Sequence, residues 1–158
     1  MIPTDELHAA NERFADAFPH GWLERRPRRR LVVVTCMDAR MEPLEILGLQ
    51  VGDANVLRNA GGIVTADVLR SLAVSHALLG TQSAVVLGHT ECGLHGMTND
   101  EVRARLGAST RGDFLPFADL EESVRESVRR IEGSELLPPS FAASGFVYDV
   151  RSGRLQSL

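Results

Sequence analysis

The sequence predicts an α/β fold with a central, mostly parallel sheet of four to five strands and helices on both faces. Three short runs rich in β-branched and apolar residues, at 31–35, 54–57 and 84–87, suit strands that are buried on both faces. Segments with apolar residues at helical spacing lie between and after these runs, and such alternation favours a parallel sheet. The 158 residues contain no repeat or long linker, which predicts a single domain: an N-terminal helix and arm (1–30) and an α/β core (31–158).

Helices are predicted where apolar residues recur every three or four positions between a capping residue and a terminating glycine. The first helix begins at Thr4 or Asp5, and its apolar face must be buried somewhere. The predicted elements, in chain order, are that helix, a strand over 31–35, a short helix over 43–47, a strand over 54–57, a helix between Thr65 and Gly80, a strand over 84–87, helices over 98–106 and 117–131, and a strand over 146–150 that turns at Arg151-Ser152-Gly153 into a short hairpin. The loop over 107–116 is expected to be mobile.

All 17 basic residues are arginine, and the chain has no lysine. Schiff-base chemistry and a complete Walker phosphate loop are therefore excluded, because both need a lysine amine. Tunable acid–base groups are limited to five histidines, two cysteines, one tyrosine and the carboxylates. The net charge of −4 argues against a nucleic-acid partner. The arginines around Pro27 favour a solvated arm, with an anion- or partner-binding arm as the weaker alternative.

The N-terminus shows no signal peptide, and no apolar run has the roughly 18 residues of a membrane span. A cytoplasmic location without membrane contact is therefore expected. In a reducing compartment two cysteines are expected to be free thiols, metal ligands or catalytic groups rather than a disulfide.

Chemically active residues follow two of the predicted strands. The first strand ends in Cys36-Met37-Asp38-Ala39-Arg40, and the third ends in Gly88-His89-Thr90-Glu91-Cys92-Gly93. Ligands bind beyond the carboxyl ends of parallel strands, so both cysteines and His89 are expected at one sheet edge. Two thiolates and an imidazole form a zinc set with one open position. Two alternatives stay open: buried cysteines without a function, and a nucleophilic Cys-His pair.

The motif Cys36-x-Asp38-x-Arg40, followed 53 residues after Cys36 by His89-x-x-Cys92-Gly93, resembles the signature of the β-class carbonic anhydrases. The segment Arg58-Asn59-Ala60-Gly61-Gly62 resembles the glycine-containing segment that this family has between the two motifs. The similarity runs from about residue 31 to the last strand and points to the compact bacterial or archaeal branch. That branch also contains hydrolases of carbonyl sulfide and carbon disulfide.

The resemblance implies one Zn²⁺ per chain held by Cys36, His89 and Cys92, and reversible hydration of CO₂ to bicarbonate by attack of zinc-bound hydroxide. Asp38 would orient the hydroxide and Arg40 would hold Asp38 by a bidentate ion pair. Asp38 can also become a fourth zinc ligand in a closed state, which gives the hypothesis of a pH-dependent switch.

The resemblance further implies that the backbone N–H of Gly93 steadies bicarbonate, while Gly61 and Gly62 contact substrate or form a tight turn. Predicted pocket walls are Met37, Ile63 and Val64. His95 is either a proton shuttle or an ordinary loop histidine, with the second interpretation favoured.

This chain departs from plant-type members, which carry a substrate-binding glutamine before the first strand, because its first glutamine is Gln50. Hydrolysis of carbonyl sulfide or carbon disulfide at the same site is therefore the alternative function, and a non-catalytic zinc-binding regulatory protein is the second alternative. The family also implies that the N-terminal helix packs across a neighbouring subunit, in a homodimer or a dimer of dimers.

Overall fold

The computed structural model describes residues 3–107 and 111–158, and within them the chain forms one five-stranded sheet. The strands are β1 (Leu31–Cys36), β2 (Ala54–Asn59), β3 (Ser83–His89), β4 (Ala142–Tyr148) and β5 (Leu155–Ser157). Their order in the sheet is β2-β1-β3-β4-β5, with the first four parallel and β5 antiparallel to β4. The predicted mostly parallel α/β sheet is confirmed, as is the hairpin at its end.

Within the described ranges, five α-helices and one 3₁₀ turn connect or precede the strands. They are α1 (Thr4–Asp16), α2 (Pro43–Ile46), the 3₁₀ turn (Ala60–Gly62), α3 (Ala66–Leu79), α4 (Asn99–Leu106) and α5 (Leu120–Glu132). The Thr65 hydroxyl accepts a hydrogen bond from the Val68 N–H at the start of α3, and Gly80 ends α3 in the left-handed conformation. Thr98 and Glu101 form a capping box at the start of α4. Local capping signals therefore placed these helix ends correctly.

Two apolar layers cover the sheet. On one face Val32 and Val34 pack with Val68 of α3 and Val124 of α5 in the main core. On the other face Val33 packs in a smaller cluster with Met41 and Leu87, against which residues 46 and 47 at the end of α2 lie. The strictly alternating directions of neighbouring side chains in β1 explain why its valines serve both layers.

One element differs from the sequence-based expectation. The last long strand begins at Ala142 rather than at Phe146, because residues 142–145 pair with β3 although their small side chains have little strand propensity. No residue of α1 is buried, so its apolar face is not covered by the described part of its own chain. Of the loop expected to be mobile, residues 108–110 lie outside the described residues.

The arginine-rich arm is hydrogen-bonded to the loops that precede β2 and β3, where Arg28 and Arg29 donate backbone N–H groups to the carbonyls of Gly52 and Asp53 and Arg30 accepts from the Gln82 N–H. Pro27 is buried, and the Arg28 Nε atom donates to the Asp53 Oδ1 atom at 2.8 Å. None of the helices in 3–107 and 111–158 has the length and apolar character that a membrane span requires.

Candidate metal centre

The ends of two adjacent parallel strands bring the motif residues together. Strand β1 lies between β2 and β3, so its carboxyl end is the point where the chain order reverses in the sheet. Cys36 is the last residue of β1 and His89 the last residue of β3. Cys92 follows His89 in the next turn. The topology therefore explains why residues 53 positions apart converge at one sheet edge.

Cys36, His89 and Cys92 are all buried, and their potential ligand atoms lie within 4.8 Å of one another. The His89 Nδ1–H donates to the Thr90 carbonyl oxygen at 2.8 Å, which leaves Nε2 as the ring nitrogen with a free lone pair. Among the described residues, His89 Nε2 is the buried side-chain polar atom that has no hydrogen-bond partner. A buried acceptor without a partner beside two sulfurs fits a metal ligand.

The donor set matches a catalytic zinc site rather than a structural one. Three protein ligands of the Cys₂His type leave a fourth position open, and ligand atoms on one tetrahedral zinc lie roughly 3.5–4 Å apart. Cys36 and Cys92 are both free thiols in the structure. The group can therefore hold a metal ion with little rearrangement.

The thiols of Cys36 and Cys92 shift each other's pKa in opposite directions. The Cys92 thiol donates to the Cys36 sulfur and so lowers the pKa of Cys36 to about 4, helped by the neighbouring His89 and by the backbone N–H groups of Asp38 and Gly61. The pKa of Cys92 is raised, because losing that proton would leave two thiolates in contact. A bound divalent cation would take the place of this proton, since ligand thiols must be deprotonated to bind a metal.

Burial by itself would lower the pKa of His89, but the adjacent Cys36 sulfur and the Thr90 carbonyl outweigh burial and raise that pKa.

Asp38 and Arg40 form the predicted bidentate pair. Arg40 Nε donates to Asp38 Oδ1 at 3.0 Å, Arg40 Nη2 donates to Asp38 Oδ2 at 2.8 Å, and the Arg40 backbone N–H also reaches Oδ1 at 2.9 Å. These contacts hold the pKa of Asp38 well below its usual range. Asp38 Oδ2 lies 3.9 Å from His89 Nε2, so the ionised carboxylate borders the position that a metal would take.

The three predicted glycines occupy different environments. Gly62 is buried with a φ of 66°, and a Cβ there would lie 2.9 Å from the Cys36 backbone nitrogen. Gly61 donates its N–H to the Cys36 sulfur. Gly93 is exposed, with open space where a Cβ would project. Gly61 and Gly62 thus have contacts to the ligand Cys36 itself, and contact of any of the three with substrate stays a prediction.

Three other predicted residues differ in their exposure. Val64 is fully buried in the main core, and its place in the wall of a narrow hydrophobic pocket stays a prediction. Met37 is 67% exposed. His95 is exposed, stacks on Phe117 and approaches the Ala118 carbonyl through Nε2 at 3.1 Å. Its anchoring to the backbone fits the interpretation as a loop histidine.

The sequence analysis assigned no supporting role to Arg58, Arg151 or Glu91, which the structure places around Asp38 and Arg40. Arg58 donates from Nε to the Cys36 carbonyl at 3.0 Å and from Nη2 to the Asp38 carbonyl at 2.7 Å, and so clamps the loop between them. Glu91 pairs with Arg40 at 3.0 Å and with Arg151 at 2.7 Å. The available signal was the position of Arg58 and Glu91 at strand ends beside the motifs, whereas nothing local pointed to Arg151.

Comparison with known proteins agrees with this geometry. The family described as "Carbonic anhydrase" matches residues 31–112. The chain is 40% identical to β-carbonic anhydrase 1 of Mycobacterium tuberculosis, over 100% of this chain and 99% of that protein. It is 32% identical to a carbon disulfide hydrolase of an Acidianus species, over 81% of this chain and 76% of that protein.

Solved structures show the same fold. The crystal structure of a carbonic anhydrase from Streptococcus mutans superposes with a TM-score of 0.91 at 42% identity, covering 99% of each chain. A carbonic anhydrase from Glaciozyma antarctica gives a TM-score of 0.86 at 36% identity, covering 94% of each chain. The chain belongs to the β-carbonic anhydrase family.

Proposed function

We propose that this protein catalyses the zinc-dependent, reversible hydration of CO₂ to bicarbonate and a proton. The observation that carries the proposal is the buried Cys36, His89 and Cys92 cluster with the ionised Asp38 at its border. Full-length identity of 40% to a protein named β-carbonic anhydrase supports the same reaction. One zinc ion per chain is part of the proposal.

When bound, zinc would supply the Lewis acidity that makes water a nucleophile near neutral pH. The residues of the chain would do the rest. Asp38 is an acceptor because Arg40 keeps it ionised, so the carboxylate can accept a hydrogen bond from the O–H group of the attacking water. Arg40 would fix the direction of that carboxylate, and Arg58 would fix the loop that carries it.

Substrate contacts are proposed at the glycines. Gly93, next to Cys92, is exposed and has open space where a Cβ would project, so its backbone N–H is the proposed donor to a bicarbonate oxygen. Gly61 and Gly62 would border the same space from the 3₁₀ turn, beside the Cys36 sulfur. CO₂ and bicarbonate are small, so a few backbone donors suffice to orient them.

The second candidate is hydrolysis of carbon disulfide or carbonyl sulfide at the same site. Several relatives with about 30–32% identity are named carbon disulfide hydrolases. The same nucleophile and the same Asp38 would serve O=C=O and its sulfur analogues, so the site residues alone do not separate the two substrates.

The deciding experiment is stopped-flow CO₂ hydration beside assays of sulfide release from carbonyl sulfide and carbon disulfide, with wild type and Asp38→Ala. We expect the wild type to hydrate CO₂ and Asp38→Ala to lose that activity while it retains zinc. Sulfide release without CO₂ hydration would favour the second candidate. Inactivity in every assay with full zinc content would leave a non-catalytic zinc-binding protein.

We also propose that the chain acts as one domain in a homodimer or a dimer of dimers. Apolar side chains of α1 and of the segment after it are strongly exposed: Leu7 56%, Phe14 58%, Phe18 50% and Trp22 70%. A second copy that covers this face would remove it from water, which is the main gain of association. A cytoplasmic location fits two thiols that must stay unpaired to hold the metal.

Sedimentation of the wild type and of Phe14→Glu tests the assembly. We expect a dimer or tetramer for the wild type at micromolar concentration and a smaller species for the variant. A wild-type monomer at that concentration would contradict the proposed assembly without touching the proposed activity.

A further inference from the structure

Glu91 lies between the proposed ligands His89 and Cys92 and connects two arginines. Its Oε2 atom accepts from Arg40 Nη1 at 3.0 Å, and its Oε1 atom accepts from Arg151 Nε at 2.7 Å. Its backbone carbonyl accepts from Arg40 Nη2 at 3.2 Å. Glu91 has a φ of 56°, in the left-handed region that few residues with a Cβ adopt. A residue kept in that conformation with three contacts to arginines points to a role for its side chain.

Arg40 is held from two sides. Of the five N–H donors of a guanidinium, Asp38 takes one on Nε and one on Nη2. Glu91 takes one on Nη1 and the second on Nη2. The Arg40 side chain is 46% exposed, and a long exposed side chain samples several rotamers unless such contacts restrict it. Glu91 therefore keeps the guanidinium in place independently of Asp38.

Arg151 balances the charge of Glu91. Along this chain of contacts the charges alternate: Asp38 negative, Arg40 positive, Glu91 negative and Arg151 positive. Arg151 holds one oxygen of the Glu91 carboxylate, so that the other oxygen stays directed at Arg40 Nη1. Without Arg151, the Glu91 side chain could turn away, and Arg40 would lose part of the support that Glu91 provides.

The hairpin that carries Arg151 is hydrogen-bonded to the loop that carries Glu91. The Thr90 N–H donates to the Tyr148 carbonyl at 2.9 Å, and the Val150 N–H donates to the Thr90 hydroxyl at 3.1 Å. In the turn, Asp149 Oδ1 accepts from the Arg151 backbone N–H at 2.7 Å. The relative position of the two charged side chains is therefore fixed by the backbone on both sides.

We propose that Glu91 and Arg151 are positioning residues for the reaction: they hold Arg40 in the orientation in which its guanidinium donates to both carboxylate oxygens of Asp38. Neither residue contacts the substrate, and both act through Arg40. The inference rests on the proposed function, since the Arg40–Asp38 ion pair affects the reaction rate only if Asp38 directs the attacking water.

The variants are Arg151→Gln and Glu91→Gln, with Arg151→Lys as the conservative replacement. Arg154→Gln is the matched control: it removes the same charge from the same hairpin, and among the described residues Arg154 forms hydrogen bonds through its backbone alone. Zinc content and thermal unfolding are measured for the zinc-loaded wild type and for all four variants. Because Glu91 lies between two ligands, Arg151→Gln decides the outcome if Glu91→Gln loses zinc.

The first readout needs no substrate: the hydrogen-exchange rate of the Arg40 Nε–H, followed by NMR and assigned with Arg40→Lys. We expect Arg151→Gln and Glu91→Gln to speed this exchange by roughly two- to fivefold. A factor of this size corresponds to the free energy that one exposed charge pair typically contributes. The second readout is kcat/KM for CO₂ hydration, expected to fall by a similar factor. Arg151→Lys should recover part of both losses, and Arg154→Gln should leave both unchanged.

Unchanged Arg40 exchange in Arg151→Gln and in Glu91→Gln would overturn the proposal. So would an equal change in Arg154→Gln, because net charge rather than position would then be responsible. A different result is a wild type that is inactive toward CO₂ while the Arg40 Nε–H still exchanges faster in Arg151→Gln and Glu91→Gln. That result would refute the proposed function but not the positioning of Arg40 by Glu91 and Arg151.

Discussion

Substituting Gly62 by alanine tests whether close packing of the 3₁₀ turn against β1 builds the site. Gly62 has a φ of 66°, and an added Cβ would lie 2.9 Å from the Cys36 nitrogen and 3.0 Å from the Thr35 carbonyl carbon. Both are backbone atoms of a strand that pairs on both sides, so neither can rotate away. The turn must move, and the Gly61 N–H that reaches the Cys36 sulfur moves with it.

The magnitude follows from two contributions to the free energy of unfolding. A residue with a Cβ in the left-handed region costs about 1–2 kcal/mol. An overpacked contact adds typically about 1–3 kcal/mol, so Gly62→Ala should lose roughly 2–5 kcal/mol in total. Gly48→Ala is the matched control, because its φ is 63° and no atom lies within 4 Å of the added Cβ. The control should lose the first contribution alone.

The assay is urea unfolding of wild type and both variants at one fixed protein concentration, since assembly links stability to concentration. Zinc content and CO₂ hydration are measured on the same samples, and we expect a loss of both in Gly62→Ala because the 3₁₀ turn, with the Gly61 N–H, moves away from the Cys36 sulfur. Equal destabilisation of the two variants would refute the reasoning, because the contact with β1 would then contribute nothing beyond the φ angle.

Four further predictions concern the metal centre. Cys36→Ser should lower the zinc content, measured by elemental analysis, well below one ion per chain. Asp38→Ala should keep its zinc, and its rate of CO₂ hydration should fall by on the order of a hundredfold. Loss of zinc in Asp38→Ala would contradict this expectation. Because the pKa of Asp38 is lowered, its stabilising effect is complete above the unfolded pKa of about 3.9 and is lost as pH falls toward the folded value. The unfolding free-energy difference between wild type and Asp38→Asn should thus stay constant from pH 8 to pH 5 and shrink below about pH 4. Zinc-stripped protein under oxidising conditions should form a Cys36–Cys92 disulfide, seen as loss of both free thiols; thiols that persist would weaken the shared site.

Local signals predicted most element boundaries. Thr65, Thr98 and Gly80 end or begin their helices as expected, because capping depends on residues within one turn of the helix end. The start of β4 was missed because Ala142 to Gly145 become a strand through pairing with β3, which no local pattern encodes. The predicted start of α5 was three residues early, since Asp119 provides the N-cap.

The sequence alone determined the chemistry of the candidate site. Its two cysteines and His89 at strand ends, with Asp38 and Arg40 two and four residues after Cys36, specify which donor atoms are available and in which order they follow the strands. The parallel topology then requires that strand ends meet at one edge.

Only the tertiary structure decided how these residues are supported. The contact of Gly62 with the Cys36 backbone, the clamp of Arg58 and the Arg40–Glu91–Arg151 chain join segments separated by 20 or more positions in sequence. Such contacts depend on sheet register and on the exact path of turns, and residues so far apart leave no periodic trace. The uncovered face of α1 has the same origin, since an amphipathic pattern indicates that a face must be buried but not which surface buries it.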